Sequence, residues 1–210
     1  MAHKRILPIP LILLIPIVLL VVVVIAGVYR FSLSDEEIMA KFPQTEAETN
    51  VIVQETLGIT SRNPWTIQVP EQGAVTFLDE WDKENGYLIG DYDAGATKGQ
   101  VLVPTAFISQ RDIERVSWIA APMIVTTQGS GSFNYVGLFK FDPPVPSRVV
   151  LLDNIFVGDR VKFTQITWES DAIITLSYLA HGDDQAMADT PNQLNSSTLK
   201  RVGNNLHMQQ

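Results

Sequence analysis

Residues 161–179 read VKFTQITWESDAIITLSYL, and this stretch decides the fold of the chain around it. Two runs rich in β-branched and aromatic residues, 161–168 and 172–179, flank the polar tripeptide Glu169-Ser170-Asp171. Such a pair of runs around a short turn is typical of a β-hairpin. The stretch therefore predicts two antiparallel strands joined by a tight connection.

Similar runs recur along the chain at intervals of roughly 8–12 residues, with turn residues between them. This spacing predicts a mainly β domain over residues 64–202, built as a sandwich or a curved antiparallel sheet. The other strands are predicted at 65–69, 74–78, 87–91, 100–107, 114–126, 133–141, 148–152, 154–157 and 198–202. A loop is predicted at 182–197 and a tail at 203–210.

Nearer the start of the chain, residues 6–28 read ILPIPLILLIPIVLLVVVVIAGV and contain no charged side chain. A bilayer core about 30 Å thick needs roughly 20 apolar helical residues, so residues 6–29 are predicted to form a transmembrane helix. A cleaved signal peptide is the alternative, but its apolar core is about 7–15 residues long and ends in a small-x-small site. The run here is longer, and Val28 stands where a small residue should precede a cut. A retained anchor is therefore favoured, and Pro16 is expected to bend it.

Lys4 and Arg5 precede the apolar run. Positive residues stay on the cytoplasmic side of a membrane, so residues 1–5 are predicted to be a cytoplasmic tail. The anchor then lies in a bacterial inner membrane, and the β-rich domain lies in the periplasm.

Residues 30–63, between the anchor and the β-rich domain, are predicted to form a helical stalk or linker. Ser34 and Glu37 have the spacing of a capping box, and a second helix is predicted over 46–57, with Gly58 as its stop. The sequence leaves open whether these helices lie at the membrane surface or pack on the domain.

Charge and cysteine usage exclude several classes of function. Because Lys4 and Arg5 are the only charged residues before the anchor, 13 of the 15 basic and all 23 acidic residues follow it, a net charge of about −10. That charge disfavours nucleic acid and anionic lipid surfaces as partners. The chain has no cysteine, so disulfides, thiolate catalysis and cysteine-ligated clusters are excluded.

The first acidic cluster contains Asp91 and Asp93, at alternate positions like the opening of a calcium-binding loop. Position 12 of that pattern is Leu102 instead of glutamate, and Lys98 adds a positive charge. A plain hairpin turn is the favoured interpretation, and a weak cation site is the alternative.

The second cluster contains His181, Asp183, Asp184 and Asp189. A zinc site typically needs several histidines or cysteines, so one histidine is a poor match. A Ser-His-Asp arrangement stays open because its members meet only in the fold, although the G-x-S-x-G context is absent. No catalytic, cofactor-binding or metal-binding residue is therefore assigned.

Three segments resemble an uncharacterised group of bacterial envelope β-domains: GSGSFNYVGLF at 129–139, FVGDRV at 156–161 and LSYLAHGDDQAMADTP at 176–191. Members look like lipoproteins or secreted proteins and carry a D-x-D-G-D stretch ahead of the GSG segment. This sequence has Ser109-Gln110-Arg111-Asp112-Ile113-Glu114 there instead. The resemblance implies an envelope β-fold and no activity, and the departure argues against a calcium site.

The leading hypothesis is a non-enzymatic, single-pass membrane protein that serves as an accessory subunit of a larger complex, with other integral membrane proteins as partners. The alternative is a tethered binding module for a carbohydrate, cation or envelope polymer, using loops 79–84 (with Trp81) or 91–99. A hydrolase using His181 is the third hypothesis.

Overall fold

The computed structural model describes residues 11–32, 49–141 and 148–209. The chain divides into two compact units, Met1–Glu48 and Thr49–Gln210. In the first unit, helix α1 (Leu11–Ser32) continues through Pro16. In the described part of this chain, no helix has both the length and the apolarity that a membrane span requires. Residues 1–10 and the capping box at Ser34 and Glu37 lie outside the described residues.

The second unit is mainly β, as the sequence predicts. Its elements, within the described residues, are a helix, thirteen strands and a 3-10 turn at Thr105–Phe107: α2 (Val51–Leu57), β1 (Trp65–Gln68), β2 (Val75–Leu78), β3 (Glu80–Asp82), β4 (Tyr87–Asp93), β5 (Lys98–Pro104), β6 (Ser109–Ile113), β7 (Val116–Thr127), β8 (Ser132–Phe141), β9 (Val149–Asp159), β10 (Lys162–Trp168), β11 (Ile173–Ala180), β12 (Gln193–Val202) and β13 (Asn205–Gln209).

Two sheets are formed by the described strands. The large sheet has the order β2-β1-β9-β8-β7-β5-β4-β3, with β6 paired to β7, and the small sheet has the order β10-β11-β12-β13. The pairs are antiparallel in the described residues except for β1 and β9, which run parallel. The large sheet curls so that β2, at one end of this order, lies close to β4 near the other end, where the Thr76 hydroxyl donates a hydrogen bond to the Asp91 carbonyl at 2.6 Å.

Two hydrophobic cores result from this arrangement, and β7 and β8 contribute to both. Successive side chains of a strand point to opposite faces. Ile119 and Met123 of β7 join the first core with Trp65 and Phe139. Trp118 and Ala120 of the same strand join the second core, which also contains side chains of the small sheet. Burial on both faces explains why β7 reads as a nearly continuous apolar run instead of an alternating one.

Helix α2 belongs to the β domain, which resolves the open question about this part of the predicted stalk. It starts at Val51, later than predicted, because the Asn50 side chain accepts a hydrogen bond from the Val53 N–H at 3.0 Å and caps the helix. Gly58, with φ 66°, ends it as predicted. Val53 and Leu57 are buried in the first core.

Several strand predictions need correction. The two short strands predicted at 148–152 and 154–157 are the single strand β9. β12 begins at Gln193, inside the predicted loop, and β13 occupies most of the predicted tail at 203–210. Both β13 and the unpredicted strand β6 are largely polar, so their pairing partners and not their own apolarity hold them in the sheets.

The turn before β7 explains why the β6–β7 hairpin escapes detection in the sequence. Glu114 and Arg115 have φ values of 51° and 70°. Two consecutive residues with positive φ are the signature of a tight hairpin turn that usually carries Asn-Gly or Asp-Gly. Glu-Arg gives no such signal.

Candidate functional site

The Asp91 and Asp93 carboxylates are occupied by partners within their own hairpin. Asp93 forms an ion pair with Lys98 at 2.6 Å and accepts a hydrogen bond from the Gly95 N–H at 2.8 Å. The Lys98 hydrogen bond, followed by the Gly95 one, lowers the pKa of Asp93. Asp91 accepts a hydrogen bond from the Gln100 amide at 2.9 Å. This is the geometry of a hairpin turn between β4 and β5.

His181 follows β11, and the structure does not join it to the neighbouring carboxylates. Its Nε2 lies 2.9 Å from the main-chain carbonyl of Asp189, while the Asp183 and Asp184 side chains are exposed. Its Nδ1 is buried and has no protein partner in the described part of the chain. The described residues contain no group of three or more histidine, aspartate or glutamate side chains that could hold a metal ion.

Trp81, a contact candidate of the alternative hypothesis in the predicted loop 79–84, instead lies on strand β3 and packs against the first core. The Lys83 ammonium lies 4.3 Å from the centroid of its ring and also pairs with Glu55 of α2 at 2.8 Å. One face of the indole is therefore covered by a neighbouring side chain, which reduces the area available to a partner.

A row of apolar side chains crosses the outer face of the large sheet. Leu102 on β5 is the direct neighbour of Ile89 on β4 and of Ile124 on β7. β2 approaches β4 at Gly90, since an added Cβ there would clash with the Phe77 carbonyl oxygen, and the Phe77 side chain on β2 is exposed. We call Phe77, Ile89, Leu102 and Ile124 the outer stripe.

The outer stripe is open to solvent. Phe77 is 47% exposed, and Ile89, Leu102 and Ile124 are half-buried. These residues belong to neither of the two cores in the described part of the domain. An apolar patch that is open to solvent can mark an interaction site.

Acidic side chains border the outer stripe. Glu80 on β3 is the direct neighbour of Ile89, and Asp91 lies two residues further along the same face of β4. Both carboxylates belong to exposed residues. Lys98, the nearest basic residue on β5, is engaged by Asp93. The border therefore presents negative charge to an approaching partner.

A buried phenol marks one end of the first core. Tyr135 is 4% exposed, and its ring meets the ring of Phe156 edge-to-face with centroids 5.3 Å apart. Burial raises the pKa of Tyr135 to about 12, and the charge of Glu71 and a hydrogen bond to its carboxylate act in the same direction. Glu71 adopts a left-handed backbone conformation, φ 61°, which is unusual for a residue with a side chain.

The free energy of unfolding is expected to fall between about pH 10 and pH 12. The unfolded phenol loses its proton near pH 10, whereas Tyr135 in the fold keeps its proton up to a pKa of about 12. The stabilisation is complete below pH 10 and is lost as the pH rises, by up to about 1.4 kcal/mol per pH unit. Urea unfolding of the wild type and of Tyr135→Phe across this range measures the difference. Identical slopes would contradict the assignment.

The outer stripe is not evident from the sequence, because its residues come from four separate strands. The sequence shows that Ile89, Leu102 and Ile124 are apolar, but only the pairing register shows that they share an outward face. Comparison with family models, curated proteins and solved structures finds no match to this chain. The resemblance to envelope β-domains therefore stays a prediction.

Proposed function

We propose that this chain is a non-enzymatic, single-pass protein of a bacterial inner membrane. Its β-domain would lie in the periplasm and dock, as an accessory subunit, on a larger membrane complex. The outer stripe is the observation that carries the proposal, because it offers an apolar contact surface on a well-packed scaffold.

The uncharged apolar run at residues 6–28 supports an anchor formed by residues 6–29. Its large apolar side chains between Ile15 and Val28 are 48–66% exposed. Moving one such side chain fully out of water is worth about 1.5–3 kcal/mol, so a helix of this kind favours an apolar environment. Lys4 and Arg5 ahead of it support a cytoplasmic N-terminus.

The chemistry of the outer stripe indicates the kind of partner. Its apolar centre suits an apolar helix face, and its border carries Glu80 and Asp91. Opposite charges at the rim of an interface favour correct association and disfavour wrong partners. We therefore propose that the partner is an amphipathic helix of a membrane subunit, with lysine or arginine beside its apolar face.

A site-specific cross-link tests this docking surface. A photo-crosslinking residue at position 77 is expected to capture a membrane protein, through a peptide in which basic residues adjoin apolar ones. Leu194 on β12 is 70% exposed and lies on the small sheet, so the same probe there is the matched control. Capture of the same chain from both positions, or of a soluble acidic protein from position 77, would contradict the proposal.

Recovery of the intact complex gives a second measure. The Phe77→Ser variant is expected to lose at least about tenfold in affinity for the partner, since an aromatic hot-spot contact is worth about 2 kcal/mol or more. Leu194→Ser should retain the wild-type recovery in a pull-down from gently solubilised membranes. Recovery of the tagged wild-type protein alone, at monomer mass, would end the accessory-subunit proposal.

Protease treatment of intact spheroplasts tests the topology separately. The β-domain is expected to be digested from outside, because the proposal places it in the periplasm. Complete protection of the domain, with a periplasmic control protein degraded, would contradict the proposed orientation without bearing on the outer stripe.

A further inference from the structure

One edge of strand β9 is largely without a neighbouring strand. β8 pairs with β9 along its whole length, from Val149 to Asp159. On the opposite edge, the pairing found in the described residues is a single parallel contact between Thr66 of β1 and Val150. β1 then ends at Gln68. Beyond Val150, β9 therefore presents an open strand edge, of the kind that accepts an added strand from another protein.

The backbone of Asn154 shows which way the groups of this edge point. Its N–H donates to the side chain of the preceding residue, Asp153, at 2.8 Å. In an antiparallel ladder, opposite residues alternate between pairs that exchange both backbone bonds and pairs that exchange none. Asn154 and Gly137 are therefore a pair that exchanges none. Phe156, two positions further along, has the same orientation, so the N–H and C=O groups of both residues face the open edge.

The open edge is accessible at Phe156. Its side chain is 49% exposed, and its ring meets the Tyr135 ring edge-to-face with centroids 5.3 Å apart. Phe156 therefore stands at the rim of the first core, with part of its ring facing solvent. An apolar side chain on an added strand can pack directly beside it, and such cross-strand aromatic pairs stabilise a sheet.

A cleft of about 200 Å³ adjoins the start of the open edge. One wall is the turn between β1 and β2, which includes Glu71, and the other is formed by residues 151–154 of β9. The lining contains the acidic residues Glu71 and Asp153 and, among the described residues, no lysine or arginine. The Glu71 carboxylate accepts a hydrogen bond from the Tyr135 hydroxyl, so its charge lies on the face that carries Tyr135 and Phe156. The cleft therefore favours a cationic side chain over an anionic one.

We propose that the open edge of β9 binds an extended segment of a partner protein by β-strand addition. The backbone of the segment bonds to the edge-facing groups of Asn154 and Phe156, and one of its apolar side chains packs beside Phe156. A lysine or arginine on the same face of the segment enters the cleft at Glu71. The outer stripe lies on β2, β4, β5 and β7, so this contact and the proposed docking surface can fail independently.

A second copy of the chain is a poorer occupant of this edge. Two β9 edges brought together would gather the Glu71 and Asp153 carboxylates of both copies at one seam, and like charges across a strand pair are destabilising. The register between β8 and β9 also shifts on either side of residues 153–156, and such bulges twist an edge away from a long, flat partner. The regular part of the edge is therefore short, which suits a peptide segment.

Peptide selection followed by chemical mapping tests the strand addition. The full-length protein in a mild detergent selects from a phage-displayed library of linear peptides, with detergent alone as the blank. Selected peptides are expected to carry an apolar residue and a lysine or arginine at alternate positions.

Each selected peptide is then synthesised with N-methyl groups on the backbone amides of one edge or of the other. Methylation of the edge that faces β9 removes two hydrogen bonds and should weaken binding at least about tenfold. Methylation of the outer edge removes none and should change the affinity by less than about twofold. Fluorescence anisotropy measures both.

Two matched pairs of variants assign the binding to β9. Phe156→Ser is expected to weaken a selected peptide by about two- to fivefold, through loss of one cross-strand contact. Val202→Ser, at a similarly exposed position of β12, should leave the affinity unchanged. Glu71→Gln should also weaken the peptide, whereas Glu84→Gln in the exposed turn between β3 and β4 should not. Thermal melts of all four variants check that the fold is retained.

Three results would overturn the proposal. The first is a selection that enriches no peptide over the detergent blank. The second is an equal loss of affinity from methylation of either peptide edge, or from Phe156→Ser and Val202→Ser alike. The third is a concentration-dependent dimer of the full-length protein that Phe156→Ser abolishes, which would make a second copy the occupant of the edge.

Discussion

Gly99→Ala is expected to unfold the β-domain or to lower its free energy of unfolding by about 3–5 kcal/mol. A Cβ on Gly99 would overlap the Thr126 carbonyl oxygen and approach the Tyr92 hydroxyl to 2.9 Å. The oxygen belongs to the backbone of β7, so no side-chain rotation relieves the clash. β5 would have to separate from β7, and that pairing connects β4 and β3 to the rest of the large sheet.

Gly129→Ala is the matched control for this substitution. The nearest heavy atom to a Cβ at Gly129 is the Thr127 hydroxyl oxygen at 3.5 Å, an ordinary van der Waals distance. Its free energy of unfolding should stay within about 0.5 kcal/mol of the wild type. Urea unfolding followed by circular dichroism measures both variants. If Gly99→Ala is as stable as Gly129→Ala, β5 and β7 are not as close as the structure has them.

Leu176→Ala is expected to lower the free energy of unfolding by about 2–5 kcal/mol, because it removes a fully buried side chain and leaves a cavity in the second core. The unfolding transition should nevertheless remain single. β7 and β8 line both cores, so loss of packing in one removes support from the other. Thr175→Ala, the half-buried neighbour on the other face of β11, should change the stability by less than about 1 kcal/mol.

Comparison of two signals tests this cooperativity. Near-ultraviolet circular dichroism reports the packing of aromatic side chains such as Trp65, which is fully buried in the first core. Far-ultraviolet circular dichroism reports the strands of both sheets. Coincident transitions are expected for Leu176→Ala. An early transition that removes only part of the near-ultraviolet signal, the part from Trp118 and Trp168 of the second core, would show that the two cores unfold independently.

The strands that are apolar in their own right could be predicted from the sequence. The hairpin of β10 and β11 is confirmed, since residues such as Phe163 and Ile174 face the second core while their neighbours face outward. Period-two alternation carries that information locally. The largely polar strands β6 and β13 could not be predicted from their own residues. Pairing with β7 and β12 holds these residues in the extended conformation.

The candidate sites could be predicted less well than the strands. The sequence offers Asp91, Asp93 and Trp81 as separate candidate contact residues. In the fold, each of these side chains has a partner, namely Gln100, Lys98 and Lys83 in turn. His181 stands out only as a histidine beside aspartates. Its surroundings in the fold, a buried ring nitrogen without a protein partner in the described residues and a nearby groove lined by both sheets, are not visible in the sequence. Such features depend on register and on sheet packing, which no single segment encodes.

The seam where β2 meets β4 has a consequence for behaviour at high concentration. An uncovered strand edge offers its backbone groups to a second molecule and invites runaway self-association. Here the Thr76 hydroxyl bonds to Asp91, and the missing side chain of Gly90 lets the two strands lie close together. Neighbouring copies therefore find no template for extension at this seam.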